Sequence, residues 1–371
     1  MSERIQTITV PKWGLTMEEG KVVAWLVDEG QTLATGDEVL ELETSKIANV
    51  VEAQYPGTLR RIVAAPDEEL PVGALLGVLA ESDVSDADID AFVADFQENF
   101  VPEKAPEDSA SAEPNFVDIG TFRIAWNVTG DQESTRAPLL FIHGFGGDGS
   151  SWLFNIAALS SDRAVYVMDL PGHGRSSKEV GDGSLETLAS VVCDFMVSIG
   201  IETAHLVGHS LGAAIALQIA SGSQARTASL TLIAPAGLAA TINDEFLQGF
   251  ASASSRREMK AAMAHLFADK SLVTRDLVDE TLKSTRIDGV REALQAIAAA
   301  CFEGGKQTAS FNDFLAATSV PILIIAGAKD EIVAVPEGLE IRIIKDAGHM
   351  PHMEAAGEVN ELIRRHLENI G

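Results

Sequence analysis

Cysteine is nearly absent from this 371-residue chain. Cys193 and Cys301 lie too far apart for a CxxC pair or any other metal-like spacing. Both read as free thiols, half-buried or buried, in a reducing compartment. Long apolar runs are missing as well. No uninterrupted one approaches 18 residues, and the first ten residues hold no apolar leader core. These absences predict a soluble, cytoplasmic protein with no membrane association. Positive charge is scarce: 27 Lys plus Arg face 55 Asp plus Glu, a formal net charge of −28. Such a chain does not grip nucleic acid or an anionic bilayer by bulk charge. What remains is ordinary globular composition, 46% hydrophobic and 22% charged. The length suggests two or three domains. No His/Asp/Glu cluster has the spacing of a metal site.

The acidity is uneven. Residues 83–115 hold ten acids and one base, Lys104. The second half of that stretch is Pro, Ala, Ser and Glu without apolar periodicity, the composition of a mobile linker. In the first half Ile89, Phe92, Val93 and Phe96 have helical spacing behind Ser85 or Asp86 as N-cap. A short amphipathic helix there has a face with which to dock on a neighbour. Residues 1–82 read as short strands punctuated by Gly14, Gly20, Gly30, Gly36, Gly57 and Gly73, a small all-β domain. An internal echo at an offset of 37 maps Leu26, Leu33, Gly36 and Val39 onto Val63, Leu70, Gly73 and Leu76. The expected arrangement is two similar sheet halves joined by a hairpin at Glu43-Thr44-Ser45-Lys46. Residues 116–371 alternate buried-strand runs with helical stretches, among them 139–142, 164–168, 205–207, 230–233, 322–325 and 341–344. That pattern predicts an α/β fold with a mostly parallel sheet covered by helices. Strand signals vanish at about 237–318, where a helical lid is expected.

A lysine on a tight turn is ordinarily a solvated charge. Lys46 is different because the repeat puts it at the pseudo-symmetric turn, behind Pro11-Lys12-Trp13-Gly14-Leu15-Thr16-Met17-Glu18-Glu19-Gly20. Together these residues resemble a lipoyl domain of the 2-oxo acid dehydrogenase complexes, over essentially all of 1–80. The resemblance implies lipoate in amide linkage on Lys46. Related biotin carriers usually flank their lysine with Met; here Ser45 and Ile47 stand there. A swinging arm needs an amine on a rigid protrusion, within reach of a lipoate ligase and of later active sites.

In the second domain Gly208-His209-Ser210-Leu211-Gly212 follows a strand and opens a helical run. This is G-x-S-x-G in the strand–turn–helix context that lifts a serine hydroxyl into a site. Serine needs a base and an orienting acid. His349, after the last strand and a turn-forming Gly348, is the preferred base; His352 is the runner-up. Asp330, after the preceding strand, is the acid. Two backbone N–H groups should form an oxyanion hole: that of Leu211, directly after the serine, and that of Phe145 in the loop His143-Gly144-Phe145-Gly146-Gly147. His173 and Asp169 read as structural, and His209 as a pocket-lining or packing residue.

With Asp169-Leu170-Pro171-Gly172-His173-Gly174-Arg175-Ser176, these residues resemble the α/β-hydrolase family over 116–371. Joined to a lipoyl domain, the architecture resembles the dihydrolipoamide acetyltransferase components of bacterial acetoin dehydrogenase systems. That implies acetyl transfer from the lipoyl arm to coenzyme A. It also implies two partner enzymes, a thiamine-diphosphate-dependent acetoin-cleaving component and dihydrolipoamide dehydrogenase. The chain lacks the usual C-terminal acyltransferase motif and any clear subunit-binding domain. Three alternatives stay open: an esterase or thioesterase carrying a lipoyl domain, a carrier subunit with a relict hydrolase domain, and a carrier with transfer done elsewhere. The sequence does not give the oligomeric state.

Overall fold

Among the described residues, eight short strands build the N-terminal part of the chain: β1 Ile5–Thr9, β2 Glu19–Trp25, β3 Thr32–Leu33, β4 Glu38–Glu43, β5 Ala48–Glu52, β6 Gly57–Ile62, β7 Glu69–Pro71 and β8 Leu75–Ala80. This computed structural model describes residues 5–11, 19–43, 48–53, 55–81, 83–100, 114–336 and 338–370. The strands form two four-stranded sheets, ordered β1-β8-β6-β3 and β5-β4-β2-β7. Advancing every strand of the first sheet by half the set, β1 to β5 and so on around, reproduces the order of the second. This is the internal repeat, but the two sequence halves are not two sheets. Each sheet draws two strands from each half, so the halves interlock. Gly36 and Gly73, matched by the repeat, both turn at positive φ, +90° and +83°, where a side chain is strained.

Val22, Val39, Leu40, Leu42, Leu59, Leu76 and Leu79 fill the space between the sheets. Every residue of β8 is buried. Its other side chains, Leu75, Val78 and Ala80, lie under a helix, α1 Asp86–Asn99, whose Ile89 is fully buried against them. Ser85 caps α1 by accepting the Asp88 N–H at 3.2 Å. Arg60 and Arg61 of β6 reach Asp86 at 2.8 Å and Asp90 at 2.6 Å. The first part of the acidic stretch is thus the helix its spacing predicts, docked on the β unit; residues 101–113, where the linker is expected, lie outside the described residues. The chain divides into two units at this point, Met1–Glu113 and Pro114–Gly371.

The second unit opens with an antiparallel hairpin, β9 Asn115–Ile119 and β10 Phe122–Thr129, then continues β11 Leu139–Ile142, α2 Leu153–Leu159, β12 Val165–Met168, α3 Leu185–Ser198, β13 Ala204–His209, α4 Leu211–Gly222 and β14 Thr227–Ile233. Five helices follow before the next strand: α5 Asp244–Ser252, α6 Arg256–Met263, α7 Arg275–Thr285, α8 Val290–Cys301 and α9 Asn312–Ala317. The chain returns to the sheet as β15 Ile322–Gly327 and β16 Arg342–Ile344 and ends in α10 Pro351–Glu354 and α11 Ala356–Glu368. The sheet order is β16-β15-β14-β13-β11-β12-β10-β9. All pairings from β12 to β16 are parallel; only β10 pairs antiparallel, with β9 and β12. Both faces are covered, so the inner strands are almost wholly buried, and β11 is apolar at every position. In β11, Leu140 and Ile142 face the core under α3, α4 and the inserted helices, while Leu139 and Phe141 face the core under α2 and α11. No described helix is long and apolar enough to cross a membrane.

Candidate active site

Ser210 sits between β13 and α4 at φ +52°, ψ −113°. Few non-glycine residues hold such a backbone, and it persists where the surroundings over-determine it. Here they do. The Ser210 N–H donates to the Ile233 carbonyl at 2.9 Å, and its own carbonyl accepts from Ala213, Ala214 and Ala236. The flanking glycines leave no room for a side chain. A Cβ on Gly208 would lie 2.4 Å from the Gly212 carbonyl oxygen, and one on Gly212 would lie 2.1 Å from that of Ile142. The helix start is thereby wedged onto the end of β11.

The loop after β11 lies alongside. A Cβ on Gly144 would be 3.2 Å from the Ser210 Cβ and 2.6 Å from His209 Nδ1. Two histidines hold this loop. His143 Nε2 accepts the Leu170 N–H at 2.9 Å. His173 Nε2 accepts the Gly146 N–H at 3.1 Å, and its Nδ1–H donates to the Pro171 carbonyl at 2.9 Å. His173 therefore stays neutral, and burial pulls its pKa down to about 3. Asp169 accepts the N–H groups of Gly149 and Arg175, both at 2.8 Å. Among the described residues the N–H groups of Phe145 and Leu211 have no acceptor, and both residues are buried.

Opposite, His349 Nδ1–H donates to Asp330 Oδ2 at 2.8 Å, with both side chains 2% exposed. Asp330 Oδ1 accepts the N–H groups of Ile332 at 2.7 Å and Val333 at 3.0 Å. Burial alone would raise the Asp330 carboxyl. The His349 imidazole and those N–H bonds outweigh it and hold the group below the usual carboxylate range. His352, the runner-up base, is fully buried between Trp152 and His209, ring centroids 4.7 and 4.6 Å away. Neither of its ring nitrogens has a partner among the described residues, and burial pulls its pKa to about 3. It lacks the carboxylate that orients His349.

His209 does more than pack. Its Nε2–H donates to the His349 carbonyl at 2.8 Å, joining the residue before Ser210 to the backbone of the candidate base. Glu354 is a second bridge: it accepts the Gly348 N–H and the Ala268 N–H, each at 2.7 Å. The His349 N–H donates to Leu266 at 2.9 Å. The Asp330 loop is tied to the inserted helices in the same way, through Asn243 N–H to Ile332 at 2.9 Å and Lys270 to Glu331 at 2.9 Å. Glu354 carried no sequence signal, because its role depends on backbone groups 86 and six residues away. Lys46 and its neighbours 44–47 lie outside the described residues; Glu43 of β4 pairs with Ala48 of β5 on either side of them. No group of metal-binding side chains occurs among the described residues.

Family models match both units: "Alpha/beta hydrolase family" over residues 139–362 and the biotin/lipoyl model, "Biotin-requiring enzyme", over residues 6–79. Over nearly the whole chain the similarity is to a protein from Pseudomonas putida, the dihydrolipoyllysine-residue acetyltransferase component of its acetoin cleaving system. It is 43% identical over 98% of this chain and 100% of that one. The chain belongs to this family of lipoyl-domain α/β hydrolases. A Cupriavidus necator protein of the same description is also 43% identical, over 99% of this chain and 98% of its own. Among solved structures, a meta-cleavage product hydrolase from Pseudomonas fluorescens matches 70% of this chain and 99% of its own at a TM-score of 0.63 and 20% identity. That last likeness is one of fold.

Proposed function

We propose that this protein is an acetyltransferase that moves an acetyl group from S-acetyl-dihydrolipoyl-Lys46 to the thiol of coenzyme A, in the cytoplasm, during acetoin breakdown. The observation that carries the reading is end-to-end similarity to acetyltransferase components of acetoin cleaving systems, across both units. Four residues separate the paired Glu43 and Ala48, and Lys46 is the one among them with an amine, which suits an attachment turn. Lipoate bound there supplies the thiol on which the acyl group travels.

Each step belongs to residues of the second unit. Asp330 holds the His349 tautomer that leaves Nε2 unprotonated. His349 Nε2 takes the proton of Ser210 Oγ as the oxygen attacks the thioester carbonyl. The Phe145 and Leu211 N–H groups receive the oxyanion. The C–S bond breaks, the departing thiolate takes the proton from His349, and Ser210 carries the acetyl ester. His349 then takes the proton of the coenzyme A thiol, whose sulfur attacks the ester, and Ser210 recovers its hydroxyl. The reading carries the partners of the relatives' system with it: a thiamine-diphosphate-dependent acetoin-cleaving enzyme upstream, dihydrolipoamide dehydrogenase to reoxidise the dithiol, and a lipoate ligase to load Lys46.

The test uses the lipoylated full chain, chemically acetylated on its dithiol, with coenzyme A added and both acetyl-CoA and acetate followed. Acetyl-CoA is the expected product, reduced ~10³-fold or more in Ser210→Ala. Acetate alone would make the protein a hydrolase, and undiminished transfer in Ser210→Ala would move the chemistry elsewhere.

A further inference from the structure

Coenzyme A is a polyanion, and the chain that is to receive it carries −28. The inserted segment is nearly neutral by comparison: residues 237–318 hold nine of the 20 bases found in residues 116–371, against 11 acids. Four of the nine converge at one turn. We propose that Arg256, Arg257, Arg286 and Arg291, gathered around the α5–α6 turn, form the site that holds the phosphate groups of the coenzyme A acceptor. The inference rests on the acyl-transfer reading and names the acceptor subsite of that reaction.

The arginines arrive from three directions. Arg291, at the start of α8, donates through Nη2 to the Ala253 carbonyl at 2.9 Å. Arg286, directly after α7, donates through Nη2 to the neighbouring Ser254 carbonyl at 3.1 Å. Arg256 and Arg257 open α6 two and three residues further on. Two acids are bonded into the cluster. Asp279 pairs with Arg256 and lies 3.9 Å from Arg275. Glu258 is occupied by the N–H groups of Ser254 and Ser255 and by the Ser254 hydroxyl. Among the described residues Arg257, Arg286 and Arg291 have no carboxylate partner, and the buried Nε of Arg291 has no acceptor. Arg257 and Arg286 are exposed. A guanidinium fork with open donors matches phosphate oxygens better than a point charge does.

The cluster is also beside the chemistry. Phe250 of α5 lies on the loop after β11: a Cβ on Gly146 would be 2.3 Å from its ring, and the Phe145 and Phe250 ring centroids are 6.3 Å apart. Ala253, which Arg291 holds, follows three residues later, about 4.5 Å along the helix axis. From the other side, α8 packs Ala293 against Gly172, where a Cβ would lie 2.9 Å from it. Gly172 adjoins His173, which holds Gly146. The phosphates would thus sit at the rim, over the loop expected to bind the oxyanion, with the pantetheine arm running inward to Ser210.

The experiment compares acceptors and variants on the acetyl-lipoylated full chain. Acetyl transfer is measured with coenzyme A and with pantetheine, the same thiol without phosphates, in wild type, Arg257→Gln/Arg286→Gln and Arg257→Lys/Arg286→Lys. The Gln variant is expected to raise KM for coenzyme A by ~10–100-fold, a factor of 10 corresponding to about 1.4 kcal/mol. Its kcat and its KM for pantetheine should be unchanged, and the Lys variant should recover part of the loss. Adenosine 3′,5′-bisphosphate should inhibit wild type and lose that effect in the Gln variant. An unchanged KM for coenzyme A, or equal losses with both acceptors, overturns the phosphate site while leaving the transferase reading intact. No acetyl-CoA from wild type overturns both.

Discussion

His209 occupies a position that a sequence reader passes over. It precedes the nucleophile candidate, and a histidine there is as easily a packing residue as anything else. In the structure its ring is neutral, because burial, with His352 and His349 beside it, keeps its pKa well below 6.5. The proton must then sit on Nε2, since the His349 carbonyl only accepts. One ring so sets the distance between the Ser210 turn and the His349 loop. His209→Ala should lower kcat by ~10²-fold through misplacement of the base, with KM little changed. His209→Gln, which retains an N–H donor on a side chain of similar reach, should recover most of it. Steady-state acetyl transfer measures both, with near-ultraviolet circular dichroism to show an intact fold. Equal losses in the two variants would reduce His209 to packing. Ser210, Asp330 and His349 could be singled out because the proposed chemistry needs such groups on strand ends in a fixed order, and the last two do lie together at 2.8 Å. His209, His143 and Glu354 act on backbone groups far away in sequence, and no motif spells out such partners.

At the level of elements, apolar runs identified the strands that are buried on both faces. β9 and β10 escaped that reading because they form the antiparallel margin of the sheet and carry mixed, half-buried side chains. The repeat at an offset of 37 was legible, but its realisation was not: equivalent strands are exchanged between sheets, which a linear pattern cannot distinguish from two separate halves. The helical spacing of Ile89, Phe92, Val93 and Phe96 was correctly a helix, and β8 explains why it docks. An apolar strand with a second face to cover needs a partner, and α1 supplies it from within the same unit. Ile89→Ala should destabilise the first unit by about 2–4 kcal/mol through the cavity left beside Leu75 and Val78. Urea denaturation followed through the NMR resonance of the Trp25 indole N–H, which is held by the Ala64 carbonyl at 2.9 Å, separates this unit from the other tryptophans of the chain. An unchanged midpoint would mean that α1 adds nothing to the sandwich.

For the whole second unit, burial of uncharged histidine sets a limit on acid tolerance. His173 and His352 have pKa values near 3, and His209 lies well below 6.5, each through burial first. In the unfolded chain all three titrate near 6.5. As pH falls below that value the unfolded chain takes up protons that the folded unit refuses. The stability they contribute is therefore complete above pH 6.5 and lost progressively towards pH 3. Each site removes on the order of 1 kcal/mol between pH 6.5 and 5.5. Asp330 acts in a lower window: its folded pKa lies below the unfolded one, so its share is present above about pH 4 and lost further down as the carboxyl protonates. The two effects separate on the pH axis. Melting temperature of the full chain should fall steeply from pH 6.5 to 4.5, well before the carboxylates protonate. His352→Phe removes one titrating ring and the two unpartnered nitrogens beside Trp152, so its slope should be shallower by about one proton. If wild type and His352→Phe lose stability in parallel over that range, His352 is protonated in the fold, and the closely packed histidines behind Ser210 hold a charge that their surroundings must answer.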